Sequence, residues 1–263
     1  QEPLADGSGA VYDALGSDGR GLRLLKVLLS NACSYDCLYC PLRCSRDQPR
    51  ASFRPDELAR LVAEQQRAGL IAGLMLSSGI VGDADSTMER MIDTVLVLRR
   101  EHGFRGYVHL KLMPGVSEVA VAAAAGVADR LSLNLEVPAP ELTTAVCPAK
   151  DFARQLLRPL HQAVGMIGAG RIPDGVTTQF VVGAAGESDR QILQLTWQLL
   201  TQMGLRRVYF SGFQPIQDTP MCEAQPTPRL REERLYQAEL LLRAYGFELV
   251  ELVFDEAGML PLD

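Results

Sequence analysis

The chain has 263 residues, 47% of them hydrophobic and 22% charged, with a formal net charge of −6. That is enough chain for a substantial core. No apolar run approaches the roughly 20 residues that span a bilayer, and the acidic balance excludes a surface that is basic throughout, as in a protein that coats nucleic acid.

The chain opens on QEPLADGSGAVYDALGSDGRG, polar and glycine-rich, without the basic head and apolar core of a secretory leader. The expected compartment is therefore the cytoplasm, with no membrane partner, and residues 1–21 read as an extension before the core. LRLLKVLLSN (22–31) reads as a buried strand. A helix is predicted over 55–69, with Pro55 in its first turn and Gly69 as its stop. LIAGLMLSS (70–78) reads as a strand. Residues 86–103 read as a helix, because Ser86 and Glu89 have capping-box spacing and Gly103 ends it. A strand over 106–113, a small-residue helix over 115–126 and a strand over 129–137 follow. Residues 149–165 read as helical and 175–183 as a strand. The helix 188–204 begins with Ser188 and Gln191 as a second capping box. A strand over 205–213, a helix over 228–246 and a last short strand over 247–252 complete the pattern.

Strands separated by helices of this length make βαβ units and a parallel sheet. The predicted fold is α/β, a partial (β/α)6 TIM-like barrel with a short extra C-terminal strand. It is read as one domain over 1–263, with a core over 22–217 and a C-terminal helix and strand over 218–263. A doubly wound sheet is the alternative. Several strands carry polar residues on one face: Ser132, Asn134 and Glu136 in LSLNLEV, Tyr107, His109 and Lys111 in GYVHLKL, Thr177 and Gln179 in GVTTQFVVG. A parallel strand covered on both faces is nearly all apolar, so these faces point to a ligand. The plain alternative is a satisfied polar layer inside a barrel.

Four of the six cysteines fall in NACSYDCLYCPLRC (31–44), three of them spaced Cys33-x3-Cys37-x2-Cys40. In a reducing compartment such clustering points to a metal or to catalysis rather than to disulfides. Structural zinc needs a fourth ligand. The three histidines, His102, His109 and His161, are scattered, which leaves Cys44 for that part. A zinc-binding module without catalysis therefore stays open beside a 4Fe–4S cluster held by three thiolates.

A C-x3-C-x2-C loop just after the first strand of a βα barrel, with Tyr39 before the last cysteine, resembles the radical S-adenosylmethionine superfamily. The resemblance implies that Cys33, Cys37 and Cys40 bind a 4Fe–4S cluster. It implies that the amino and carboxylate groups of S-adenosylmethionine chelate the open iron. Reductive cleavage, with an electron from a flavodoxin- or ferredoxin-type donor, would then yield a 5′-deoxyadenosyl radical that takes hydrogen from a substrate. By position, Ser77, Ser78 and Gly79 in LSSG stand where the superfamily has Gly-Gly-Glu at the methionine amino group, with no glutamate following. Lys111 falls to the methionine carboxylate. Ser132, Asn134 and Glu136 fall to ribose and methionine. Gly183 in FVVGAAGE and Gln214 in FSGFQPIQDTP fall beside adenine.

LRLLKVLLSNACSYDCLYC, GLMLSSGIV, EHGFRGYVHLKLMPG, ADRLSLNLEVP and TTQFVVGAAGESDRQIL together resemble a subfamily of these enzymes named for DNA modification or repair. The similarity runs over roughly residues 22–217. Members of that subfamily carry a C-terminal extension that engages DNA. This chain reads as a short form without it, with no helix-hairpin-helix signature, so a substrate outside DNA stays open. A nucleobase or nucleotide in DNA or RNA is one expectation, a small metabolite or peptide the other. Arg43, Arg46, Arg50 and Arg54, directly after the cysteine loop, are candidate phosphate contacts. An aromatic content of 6% leaves few platforms for stacking bases. Of the remaining thiols, Cys222 in DTPMC is a candidate hydrogen donor to a product radical. Its plain alternative, as for Cys44 and Cys147, is a small apolar side chain. Lys150, in CPAKDFARQLLRP, is a candidate mouth residue.

Overall fold

Residues in the parallel strands alternate between two environments. Leu74, Leu76, Val108, Leu110 and Leu131 are wholly buried, while their neighbours Met75, Ser77, Lys111 and Arg130 are only half-buried. Two helices bury apolar stripes as well, Leu58, Ala59 and Val62 on one and Met88, Met91 and Val95 on the other. Each such leucine contributes about 1.5–3 kcal/mol relative to exposure.

The computed structural model describes residues 10–15 and 21–262. Residues 1–9 and 16–20 of the expected N-terminal extension lie outside the described residues. The elements are β1 (Val11–Leu15), β2 (Gly21–Leu28), α1 (Pro55–Arg67), β3 (Gly73–Ser77), α2 (Ala84–Arg100), β4 (Tyr107–Lys111), α3 (Glu118–Ala125), β5 (Arg130–Ser132), α4 (Pro140–Val146), α5 (Arg158–Ile167), β6 (Val176–Val182), α6 (Asp189–Gln198), β7 (Arg207–Gly212) and α7 (Arg229–Ala244). Strand order in the sheet follows chain order from β1 to β7. β2 to β5 are parallel, as are β6 and β7, and β1 pairs antiparallel with β2. This is the connectivity of a partial (β/α)6 barrel, as the alternation of elements implied. No helix among the described residues is long and apolar enough to cross a membrane.

The chain packs as two compact units. One holds residues 1–34, 47–132 and 165–175, and so β1 to β5. The other holds 35–46, 133–164 and 176–263, and so β6 and β7.

Several elements differ from expectation. β1 lies in a stretch read as extension, because VYDAL is only five residues between polar, glycine-rich flanks and becomes a strand by pairing with β2. α2 starts before the expected Ser86–Glu89 box. Asp83 caps it instead, accepting from both the amide and the hydroxyl of Ser86 at 2.8 Å, and a carboxylate suits the positive end of the helix. The Ser188–Gln191 box forms as read. The helix expected over 149–165 begins as a π-helical stretch, Phe152–Leu157, which runs into α5. Pro159, in the first turn of α5, has no N–H to give, and a wide turn just before it accommodates that loss. The extra C-terminal strand is not formed: Leu249–Glu251 is a 3-10 turn. The apolar pair Leu249-Val250 breaks the strand alternation, Val250 is 90% exposed, and Glu251 folds back onto the Glu248 amide at 2.7 Å.

The C-terminal segment is instead anchored by a buried ion pair. Asp189 has no exposed surface. It accepts from Arg231 Nε at 2.7 Å and from the Leu260 amide at 3.0 Å. Asp189→Ala strands a guanidinium and an amide, so a loss of about 3–5 kcal/mol is expected. Urea unfolding checks this, and the Asp189→Ala/Arg231→Met double variant should lose less than Asp189→Ala alone.

Candidate functional site

In the first unit, β2 and β3 continue their ladder past their formal ends. Leu29 N donates to Ser77 O at 2.8 Å and Gly79 N to Ser30 O at 2.7 Å. Ser30 bonds Ser52 at 2.6 Å and receives the Ala32 amide at 3.1 Å. Ser34 N then reaches Ile80 O at 2.7 Å. Cys33 is thereby held between two fixed backbone points. Gly79 makes the approach feasible: a Cβ there would stand 2.1 Å from Ala32 O and 3.2 Å from Cys33 Cβ. The glycine assigned to a cofactor contact thus has a packing role against the cysteine loop. Ser77 ends β3, and Ser78 Oγ donates to Gly79 O at 2.6 Å.

Across β4 and β5, Lys111 and Ser132 are in register, as are His109 and Arg130. His109 Nε2 bonds Ser132 Oγ at 2.8 Å. Burial first, then the charges of Arg130, Lys111 and Lys26, push the imidazole down to about 3. His109 is therefore neutral at physiological pH. The face shared with Lys111 was legible in the strand alternation; the pairing with Ser132 was not.

In the second unit, the cysteine loop is pinned by Asp36. Its carboxylate accepts from Arg43 through two bonds, Nε at 2.8 Å and Nη2, and from Ser45 Oγ at 2.8 Å. Arg43, beside it, holds that carboxyl well below the usual range. Leu38 N donates to Val146 O at 2.8 Å, and Leu42 N to Cys40 Sγ at 3.4 Å. Cys37 and Cys147 form a buried core with Val137 and Val146, on which Tyr35, Tyr39, Cys40 and Met221 pack. Gln155 Nε2 donates to the Tyr35 hydroxyl at 2.9 Å.

Beside this core lies a buried ion pair that sequence reasoning missed. Lys150 Nζ is 3.2 Å from Glu136 Oε1, with the side chains 6% and 9% exposed. Asn134 Nδ2 meets the other carboxylate oxygen at 3.3 Å. Glu136 takes this place through a bulge. After β5, the Leu135 amide turns to Thr178 Oγ1 at 3.1 Å, the ladder resumes with Glu136 N to Gln179 O at 3.1 Å, and Glu136 has φ 69°. The expected strand 129–137 stops at Ser132 for this reason. Cys147 donates to Cys37, and that bond, followed by the Lys150 charge, draws the Cys37 thiol down despite burial. The phenol of Tyr39 is pushed up by burial and by Glu136.

The other expected contacts have partners of their own. Gly183, with φ 85°, donates its amide to the Glu187 carboxylate, and a Cβ on it would lie 2.1 Å from Thr227 Oγ1. Gln214 Nε2 donates to Thr227 O at 3.2 Å. Thr227, unforeseen, thereby gathers the ends of β6 and β7. Arg46 Nη1 donates to Pro41 O at 3.3 Å, and its Nη2 stands 3.9 Å from Asp218. Arg50 donates to Asn31 O at 2.7 Å, and Arg54 pairs with Asp56 at 2.9 Å. Cys44 and Cys222 are exposed, and none of the six cysteines is in a disulfide.

No family model matches the chain, and no curated protein sequence matches it. Solved structures do. Methylornithine synthase (PylB) superposes with a TM-score of 0.66 at 15% identity, over 84% of this chain and 61% of that one. The FeFe-hydrogenase maturase HydG from Carboxydothermus hydrogenoformans gives 0.68 at 17%, over 84% and 51%. The radical S-adenosylmethionine methyltransferase TsrM from Kitasatospora setae, solved with cobalamin and a [4Fe-4S] cluster bound, gives 0.56 at 14%, over 75% and 38%. These are members of the radical S-adenosylmethionine superfamily. The chain has their fold. It spans between about two fifths and three fifths of their lengths.

Among the described residues, no three His, Cys, Asp or Glu side chains already stand together as a metal-binding group. The donor chemistry nonetheless fits a thiolate-held iron–sulfur cluster. Cys33, Cys37 and Cys40 put three soft sulfur donors within eight consecutive residues, and Cys40 Sγ already accepts an amide N–H, the kind of bond that cluster sulfurs take. Gly79→Ala should force the Ser77–Gly79 and Ala32–Cys33 backbones apart. A loss of about 1–3 kcal/mol in urea unfolding is expected, with faster alkylation of Cys33 in the reduced, metal-free chain.

Proposed function

We propose that this chain is a radical S-adenosylmethionine enzyme. The observation that carries this reading is the Cys33-x3-Cys37-x2-Cys40 loop directly after the first parallel strand of this fold. The three thiolates would hold a 4Fe–4S cluster. With S-adenosylmethionine bound, that cluster supplies reductive cleavage to a 5′-deoxyadenosyl radical able to take hydrogen from a substrate. The chain's own residues ligate, orient and exclude water. Ser77, Ser78 and the backbone of Gly79 would receive the methionine amino group, and Lys111 its carboxylate. Ser132, Asn134 and Glu136 would face methionine and ribose, and Gly183 and Gln214 the adenine. The thiol of Cys222, exposed beside Met221, would donate hydrogen to a product radical. A flavodoxin- or ferredoxin-type protein of the cytoplasm would deliver the electron.

For the substrate, the resemblance to enzymes named for DNA modification or repair supports a nucleobase or nucleotide in DNA or RNA. A small metabolite or peptide is the second reading. It is favoured by Arg43, 7% exposed and committed to Asp36, which leaves that guanidinium little to offer a phosphate.

Two experiments test these readings. Anaerobic reconstitution with iron and sulfide, reduction and addition of S-adenosylmethionine should release 5′-deoxyadenosine, and Cys33→Ala, Cys37→Ala or Cys40→Ala should each abolish it. Zinc bound without iron or sulfide would instead make the loop structural. Binding of a single-stranded oligonucleotide at low salt should weaken at least several-fold in Arg46→Ala/Arg50→Ala and fall steeply with added salt. No binding in 20 mM salt transfers the case to the small substrate.

A further inference from the structure

The chain carries a net charge of −6, yet the strands of the first unit are basic. β1 to β5 hold one acidic residue, Asp13, against four cations, Arg23, Lys26, Lys111 and Arg130. Asp13 stands opposite Arg23 in the register, which leaves Lys26, Lys111 and Arg130 on the other face of the sheet with no carboxylate from these strands. Pairing sets Lys26 beside Met75, Met75 beside His109 and His109 beside Arg130, one unbroken row across β2 to β5. Side-chain contacts confirm the common face: the Tyr12 hydroxyl donates to Met75 Sδ at 3.2 Å, and His109 bonds Ser132 at 2.8 Å. On one side the row is closed. A Cβ at Gly73 would stand 2.5 Å from Leu24 Cδ2 and 2.9 Å from Tyr107 Cβ, so Leu24, itself buried, lies over the bare glycine towards Tyr107. Among the described residues neither Lys26 nor Arg130 has a carboxylate partner. Arg130 Nε donates to the Asp174 carbonyl at 3.2 Å, which orients the guanidinium without cancelling its charge. A half-buried guanidinium in that state costs free energy that a bound anion offsets.

We propose that the Lys26–His109–Arg130 row anchors the substrate by binding its anionic end group, a carboxylate or a phosphate monoester carried by a small molecule. This deepens the small-substrate reading above and rests on it. Lys26, exposed, supplies a mobile ammonium, and Arg130 supplies an oriented fork; together they can receive the oxygens of one such group. Leu24 and Tyr107 make one side of the row a blind end, which suits a terminal anion better than a phosphodiester that continues in both directions. Lys111, assigned to the methionine carboxylate, lies two residues further along β4, about 6–7 Å away at the rise of a strand. The cofactor's carboxylate and the substrate's anion therefore fall on successive rows of one face.

The test is calorimetric titration of the anaerobically reconstituted protein with inorganic phosphate and, separately, with acetate, in chloride buffer. At least one probe should bind saturably, and the tighter of the two identifies the end group. Lys26→Met and Arg130→Met should each weaken that probe about tenfold or more. Lys26→Arg should retain it, and Arg229→Ala, at a side chain 91% exposed on α7, should leave it unchanged. Saturating S-adenosylmethionine should not displace it. Should Arg130→Met not fold, Lys26→Met, at an exposed position, still decides. No saturable binding, or equal binding in parent, Lys26→Met and Arg130→Met, overturns the inference. Displacement by S-adenosylmethionine overturns it too, by giving the row to the cofactor. If the parent loads no iron–sulfur cluster, the enzyme reading fails instead; binding that Lys26→Met abolishes would then still stand as an anion site of this chain.

Discussion

A charge buried beside a thiol is the constraint around which the second unit is organised. Lys150 is covered on nearly all sides, so its position is meaningful only if an anion meets it there. Glu136 does so at 3.2 Å. To bring the carboxylate to that point, the chain leaves regular strand geometry after Ser132, inserts a bulge against Thr178 and places a non-glycine residue at positive φ. Such a conformation costs on the order of 1 kcal/mol or more and persists where surrounding structure enforces it. Here the enforcing structure is the resumed ladder to β6, with Glu136 N on Gln179 O and Val181 N on Glu136 O. The strain, the bulge and the ion pair all serve one location, next to Cys37 and Cys147.

The first unit solves a complementary problem with backbone alone. The loop that carries Cys33 is fixed by carbonyls and amides of the β2 and β3 ends, and the only way to bring those chains so close is to have no side chain at Gly79. This gives LSSG a reason to exist that is independent of any cofactor. The same double reading holds at Gly183, which Thr227 approaches too closely for any Cβ. A glycine matched to a family position by sequence can therefore be required by packing and still present its backbone to a ligand.

The arginines show how a charge run divides once it folds. Arg43 is absorbed by Asp36 and becomes part of the loop's framework, with Ser45 on the same carboxylate. Arg54 stays at the surface with Asp56, where such a pair contributes little. Four adjacent guanidiniums in sequence are thus not four equivalent phosphate contacts. Counting them along the chain overstates the positive potential a nucleic acid would meet.

Local information sufficed for much of the architecture. Alternation of period two, helix stripes, Pro55 at a helix start and the Ser188–Gln191 box are set by neighbours within a few residues, and they appear where the sequence placed them. The cysteine spacing was equally legible, since the three thiols lie within eight consecutive residues. What only the tertiary structure decided involves partners far apart in the chain. β1 is a strand because β2 lies beside it, and residues 247–252 are not, because no strand pairs with them among the described residues. Glu136 and Lys150 meet only after the chain between them has folded through α4. Cys37 and Cys147, 110 positions apart, share a core for the same reason. Periodicity reports which face of an element is apolar. It carries no information on which distant polar group will be buried beside another, because that is settled by the packing of whole elements and by the cost of leaving any buried charge alone.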